Sequence, residues 1–305
     1  MSEPHVEDYL PDGPEWGTFA LILTCHAFWA LAVFVLPQVS MALAVVLATL
    51  MIALQCSLCH EVIHGHPFRN QRLNELLVFL PLNLMIPYGR FRDTHLAHHE
   101  DDRLTDPYDD PESNFHDPVV WAQMPKWRQG LLRMNNTLLG RMLIGPILGQ
   151  VCFVFSDAKL IRAGQPGVLR DWILHGLGGL LVLVLVVMSP MSLSAYLLAA
   201  FAALSLLKVR TFLEHRAHDD KHGRTAIVEG QGVFAFLFLN NNLHIVHHMH
   251  PGVPWHRLPD LYRADKSGYQ RANHGYVLPS YGAVFARYFL RAKDPVPHPL
   301  WQAGE

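Results

Sequence analysis

The chain has 305 residues, of which 50% are apolar and 16% charged, with a formal net charge of −2 and 20 histidines. This is too apolar for an ordinary soluble domain of that length, and without a basic excess it excludes nucleic acid as a partner. Histidine is the commonest metal ligand, so its abundance points first to a metal site.

In chain order, residues 1–15 form an acidic tail with neither the positive n-region nor the cleavage site of a signal peptide. Four apolar stretches then read as membrane spans: residues 16–36, 41–59, 172–188 and 193–213. They pair into hairpins through residues 37–40 and 189–192, turns that hold no charged residue. With both turns outside, every Lys and Arg lies on the inner side, as the positive-inside rule requires. Two weaker segments, residues 75–88 and 138–155, are interrupted by Pro81 and by Arg141, Pro146 and Gln150, and read as interfacial or re-entrant helices. The four cysteines (Cys25, Cys56, Cys59, Cys152) sit in apolar runs and read as small buried hydrophobes. The expected fold is an all-α integral membrane protein. It has four transmembrane helices in two hairpins, interfacial helices and a cytoplasmic histidine-rich cap. Residues 1–15 form a cytoplasmic tail, 16–259 the membrane domain and 260–305 a cytoplasmic C-terminal segment. Termini and site face the cytoplasm, across the inner membrane if the source is bacterial.

The histidines gather in four clusters: His60 and His64 at the end of the second span; His95, His98 and His99; His215 and His218 after the fourth span; and His244, His247 and His248. Residues three and four apart share a helix face, so each cluster presents its imidazoles in one direction. Cys56-Ser57-Leu58-Cys59-His60 also spells a c-type haem attachment site, but that chemistry belongs on the exported face, and Cys59-His60 falls at the inner one. His60-Glu61-Val62-Ile63-His64 spells the helix of a zinc metalloprotease, a reading that leaves the other clusters unexplained. One catalytic zinc uses three protein ligands. Nine or ten clustered histidines suit two ions instead, and imidazole alone does not name the metal. A non-catalytic metal sensor is disfavoured because so many ligands would be superfluous.

The order H-x3-H, H-x2-H-H, H-x2-H-H, with hydrophobic hairpins between, resembles the integral-membrane fatty acid desaturase family from the second span to Pro259. "HHMHPGVPWHRLP" is similar to the ending seen in bacterial members, and "HHEDDRLTDPYDDPES" to the stretch after their second box. The resemblance implies two non-haem iron ions held by His60, His64, His95, His98, His99, His244, His247 and His248. His215 matches an extra histidine after a late span, and His218 is a further possible ligand. Relatives often carry Asn where Thr211 stands, and H-D-x-x-H where this chain has Glu61. Supporting contacts to the ligand set are expected from Glu61, Asp106, Thr211, Glu214 and Asn241. In the wider acidic run, Asp109, Asp110 and Glu112 can hydrogen-bond imidazole N–H groups in the same way. His66 points away from the face shared by His60 and His64. His175 reads as a hydrogen-bonded membrane histidine, and His250 and His256 as structural.

The implied activity is an O2-dependent desaturase that introduces a double bond into a fatty acyl or lipid chain. A hydroxylase or ketolase on the same scaffold, acting on an alkane, lipid or carotenoid, is the enzymatic alternative, because Glu61 and "RTFLEH" are similar to membrane alkane hydroxylases and carotenoid ketolases. The chain has no dinucleotide fingerprint, no ferredoxin-like cysteine set and no fused cytochrome. A separate electron donor of ferredoxin, rubredoxin or cytochrome type is therefore implied.

Overall fold

The computed structural model describes residues 5–301, which are mostly helical with one short two-stranded sheet among them. In chain order the α-helices are α1 (Trp16–Phe34), α2 (Met41–Ile63), α3 (Gln71–Leu77), α4 (Tyr88–His98), α5 (Pro118–Gln123), α6 (Lys126–Asn135), α7 (Leu138–Leu143) and α8 (Gly145–Arg162). They continue with α9 (Val168–Val187), α10 (Leu193–Thr211), α11 (Val233–Leu237), α12 (His244–Met249), α13 (Leu258–Ala264), α14 (Lys266–Ala272) and α15 (Tyr281–Tyr288). Strand β1 (Ile227–Val228) pairs in parallel with β2 (Val277–Leu278). Two compact units result: a span unit of residues 11–93 and 146–207, and a histidine unit of residues 5–10, 94–145 and 208–301.

In the span unit, four helices are long and apolar enough to cross a bilayer. They are Trp16–Gln38, Met41–Ile63, Val168–Val187 and Leu193–Thr211, with mean hydropathies of 2.3, 2.3, 1.7 and 1.5. These are the four expected spans, and the protein is an integral membrane protein. The third begins at Val168, earlier than its apolar run, because Arg170 Nη2 lies 2.8 Å from Asp171 Oδ1 and Asp171 complements the positive end of the helix dipole. The fourth stops at Thr211, short of the expected residue 213. Ser40 Oγ caps α2 by accepting from the Leu43 N–H at 3.3 Å. Helices α1 and α2 pack as a hairpin in which buried Ala44 and Ala48, one turn apart, permit close approach.

The weaker segment at residues 75–88 is helical only at its two ends, in the last residues of α3 and at Tyr88, where α4 begins, and runs irregularly from Val78 to Pro87. Irregular backbone within a membrane protein must have its polar groups satisfied by protein. Four helices do so here. Gln55 Nε2 of α2 donates to Leu80 O at 2.9 Å, Tyr196 Oη of α10 to Leu82 O at 2.7 Å, and Gln150 Nε2 of α8 to Met85 O at 2.7 Å. His175 Nε2 of α9 donates to Leu84 O at 3.2 Å. Asn83 Oδ1 accepts from the Met85 and Ile86 N–H groups at 2.7 and 2.9 Å. A Cβ on Gly178 would lie 2.8 Å from Pro81 Cδ, so only glycine lets α9 approach this segment. The second weak segment is two helices, α7 and α8, broken at Ile144. Buried Arg90 holds buried Asp157 through two bonds of 2.9 and 3.1 Å, and Trp172 Nε1 adds a third at 2.8 Å.

The histidine unit is built around Ile227, Leu243, Ile245, Val246, Val253, Leu258 and Leu261, closed by Tyr262 and Tyr269. Buried Asn273 and Tyr276 tie its C-terminal part to the segment after α10: Tyr276 Oη donates to Leu213 O at 2.7 Å, and Asn273 Nδ2 to Thr225 O at 3.3 Å.

Candidate metal centre

Helix α4 delivers His95 and His98 and hands on to His99, whose N–H still donates to His95 O at 3.1 Å. The i, i+3 and i+4 spacing therefore operates as expected. Helix α12 delivers His244, His247 and His248, all buried. Its start is set by Leu239 and Asn240, both in the left-handed region at φ 50° and 56°, a conformation that asparagine tolerates and leucine rarely adopts. His215 follows α10 in a bridge with Thr225, and Lys293 Nζ donates to its carbonyl at 2.5 Å.

These seven imidazoles form two sets within the histidine unit. In one, donor atoms of His98, His215, His244 and His248 lie within 4.8 Å of one another. His215 Nε2 is 2.9 Å from His98 Nε2 and 3.1 Å from His244 Nε2. In the other, His99 Nε2 is 3.0 Å from His95 Nε2 and 3.2 Å from His247 Nε2. His99 and His248 stack at 4.2 Å between the two sets.

The protonation pattern makes these contacts ligand-like. His98 Nδ1–H donates to Asp110 Oδ1 at 2.8 Å, His95 Nδ1–H to Glu112 Oε1 at 3.1 Å, and His244 Nδ1–H to Asn241 Oδ1 at 2.8 Å. A neutral ring that donates from Nδ1 keeps a bare lone pair on Nε2. His244 therefore aims a lone pair toward His215 Nε2, and His98 does the same once the proton on its Nε2 is displaced, an arrangement that suits a shared cation. Nitrogens bound at about 2.1 Å around one ion lie about 3.0 Å apart at octahedral and about 3.4 Å apart at tetrahedral angles, close to the spacing found here. Burial, reinforced by neighbouring imidazoles, pushes the pKa values of His215 and His244 well below the ordinary value, so both rings are neutral, the form that can bind a metal ion. Burial opposes charge on His98 too, but Glu112, Asp110 and Glu214 raise it to about 9. The donor set thus fits metal ions.

The supporting residues differ in part from those expected. Asn241 orients His244. Glu214 pairs with Arg210 at 2.8 Å and has an oxygen 3.8 Å from His244 Nδ1. Burial raises the Glu214 carboxyl, with Arg210 opposing. Thr211 Oγ1 is buried with no hydrogen-bond partner among the described residues. Asp106 does not reach an imidazole: its Oδ1 accepts from the Tyr108 and Asp109 N–H groups at 2.7 and 2.9 Å, closing its own turn. Asp110 and Glu112 from the same acidic run take the place expected for it. His218 stays outside both sets, with Nδ1 accepting from the Asp220 N–H at 3.0 Å and its ring against His274. In the span unit, His60 and Glu61 are buried, and the His60 and His64 rings lie 4.9 Å apart. His66 is buried there against the Glu15 carboxylate. Sequence reasoning missed Arg210 and Lys293; Arg210-x-x-x-Glu214 has i, i+4 ion-pair spacing, whereas nothing local marks Lys293.

Residues 36–280 match the family model described as "Fatty acid desaturase". The chain belongs to the fatty acid desaturase family. This family member is also 24% identical over 250 residues to the beta-carotene ketolase of Paracoccus sp. (strain N81106 / MBIC 01143), covering 78% of this chain and 86% of that protein. Membership makes the desaturase-family chain an oxidoreductase of the desaturase and oxygenase kind, from a family of di-iron enzymes. The zinc-protease reading of His60-Glu61-Val62-Ile63-His64 is left without support.

Proposed function

We propose that the protein is an O2-dependent desaturase that introduces a double bond into the acyl chain of a membrane lipid or fatty acyl substrate. The observation that carries this reading is the convergence of His98, His215 and His244 Nε2 atoms at 2.9 and 3.1 Å in a chain of the desaturase family. The same chemistry of donors supports His248 beside them and His95, His99 and His247 as a second set. The family's three-box order supports adding His60 and His64 to these seven. Held by these residues, two iron ions would supply activation of O2 and removal of hydrogen from unactivated methylenes.

The chain's own residues orient the imidazoles so that Nε2 is the atom left to ligate. Asp110, Glu112 and Asn241 each fix one Nδ1 proton, and Lys293 fixes the backbone of His215. Desaturation consumes O2, two electrons and two protons, takes two hydrogens from the chain and releases two waters. The electrons come from a separate ferredoxin, rubredoxin or cytochrome-type donor. The charge-free turns at residues 37–40 and 189–192 support placing them outside and the termini and site on the cytoplasmic side.

A second reading, hydroxylation or ketolation, is favoured by the similarity to a beta-carotene ketolase. It uses the same ligands but returns oxygen to the substrate. Expression in a lipid-producing host, with lipids and pigments analysed with and without the gene, separates the two. New O2-dependent unsaturated acyl chains support desaturation. Alcohols or ketones with no new alkene overturn it in favour of the second reading.

A further inference from the structure

Helix α6 (Lys126–Asn135) is two-faced, but in an unusual sense. Gln129 lies on its buried side, where its Nε2 donates inward to Trp121 O and Met124 O at 3.0 Å each, and Asn135, the last residue of the helix, is also buried. The outward side carries the large apolar groups: Trp127 is 72% and Met134 59% exposed, with half-buried Leu131 on the same strip. At 100° per residue these three fall within one narrow sector. Exposed Lys126 and Arg133 flank the strip on one side and exposed Arg128 on the other. Single exposed apolar side chains are ordinary, but a strip of three flanked by cations is the pattern of a helix lying in a membrane interface.

A second part of the histidine unit continues the pattern. The Leu139 N–H donates to Phe289 O at 3.0 Å and the Lys293 N–H to Asn136 O at 3.1 Å, joining the end of α15 to the turn between α6 and α7. There Phe289 is 41% and Leu290 72% exposed, and Arg287 and Arg291 are exposed beside them. No Asp or Glu occurs between Pro118 and Gly145 or between Tyr281 and Lys293. Both segments are therefore apolar and purely cationic, the complement of an anionic lipid surface.

We propose that α6 and the end of α15 form an in-plane membrane-binding surface of the histidine unit. Trp127, Leu131, Met134, Phe289 and Leu290 enter the boundary between headgroups and acyl chains. Lys126, Arg128, Arg133, Arg287 and Arg291 bind the phosphates of anionic lipids. The surface is independent of the reaction catalysed.

The test uses the full-length protein in bilayers of phosphatidylcholine, with or without phosphatidylglycerol, carrying bromine on the upper acyl chain. Subtracting the emission of a Trp127→Phe variant isolates the Trp127 signal. The expected result is quenching of that signal by brominated lipid and weak quenching by iodide in the buffer. The reverse pattern overturns the insertion. In parallel, Lys126→Gln/Arg128→Gln/Arg133→Gln is purified from mixed bilayers, and retained phosphatidylglycerol is measured against phosphatidylcholine. A fall in that ratio of at least about twofold is expected. An unchanged ratio overturns the headgroup contacts even if Trp127 is quenched.

Discussion

Asp110 stands behind His98. Its Oδ1 accepts from His98 Nδ1–H at 2.8 Å, while its Oδ2 accepts from the Thr105 N–H at 2.9 Å. The Glu112 N–H also donates to Oδ1, at 2.9 Å, so the loop backbone locks the carboxylate before it locks the ring. Both Asp110 and His98 are buried. Removing such a support frees the tautomer and the ring orientation together, and typically costs 10–100-fold in metal affinity or activity. Asp110→Ala is expected to lose about that factor in activity along with bound iron. Asp110→Asn, which keeps an oxygen acceptor, should retain more of both. Iron content per chain and turnover, measured on the same preparations, check this; equal behaviour of Asn and Ala would remove the role assigned to the carboxylate.

The division of imidazoles into two sets has its own consequence. His244 faces His215 at 3.1 Å, whereas His99 faces His95 and His247 at 3.0 and 3.2 Å. His244→Ala and His99→Ala therefore damage different sets. Each variant is expected to lose all activity yet keep about half of the bound iron, because the other set still offers several imidazoles. Elemental analysis of purified protein reads this directly. Full iron occupancy in both variants would contradict the two-set reading.

Metal retention should also depend on pH with a definite sign. The Glu112, Asp110 and Glu214 carboxylates outweigh burial and raise His98 to about 9, so below that pH a proton competes for the nitrogen that a metal ion needs. Binding must release this proton, so affinity rises with pH up to about 9, by roughly tenfold per unit from this group alone. Chelator competition from pH 6 to 9 checks the slope. His98→Ala should flatten it, and an unaltered slope in that variant would refute the assignment.

The legible and illegible parts of this protein divide along a physical line. The spans were readable because bilayer thickness imposes a length and excludes charge. The histidine sets were readable because three- and four-residue spacing fixes a helix face. The start of α9 lies ahead of its apolar run because Arg170 and Asp171 neutralise each other, a pairwise effect that a composition window does not register. Asp106 and Asp110 have the same chemistry four residues apart in one loop. Only the loop's turns, with Thr105 at φ 71°, decide which carboxylate reaches an imidazole. Lys293 lies 78 residues from His215 in sequence, and no local pattern reports contacts over that distance.

The irregular segment from Val78 to Pro87 gives the last expectation, in the span unit alone. Gly176 and Gly178 are both in α9, and alanine suits a helix better than glycine by about 1 kcal/mol at an unconstrained position. A Cβ on Gly176 meets nothing within 4 Å, so Gly176→Ala should leave thermal stability unchanged or raise it. A Cβ on Gly178 lies 2.8 Å from Pro81 Cδ and 3.2 Å from Phe79 O. Neither group is the far end of a flexible side chain, so the segment has to shift. Such overpacking costs about 1–3 kcal/mol, more than the helix gains. Shifting the segment also loosens the bonds by which Gln55, Tyr196, His175 and Gln150 satisfy its carbonyls. Gly178→Ala should therefore lower the melting temperature of the detergent-solubilised protein while Gly176→Ala does not. If Gly178→Ala proved as stable as Gly176→Ala, the segment would not be packed against α9.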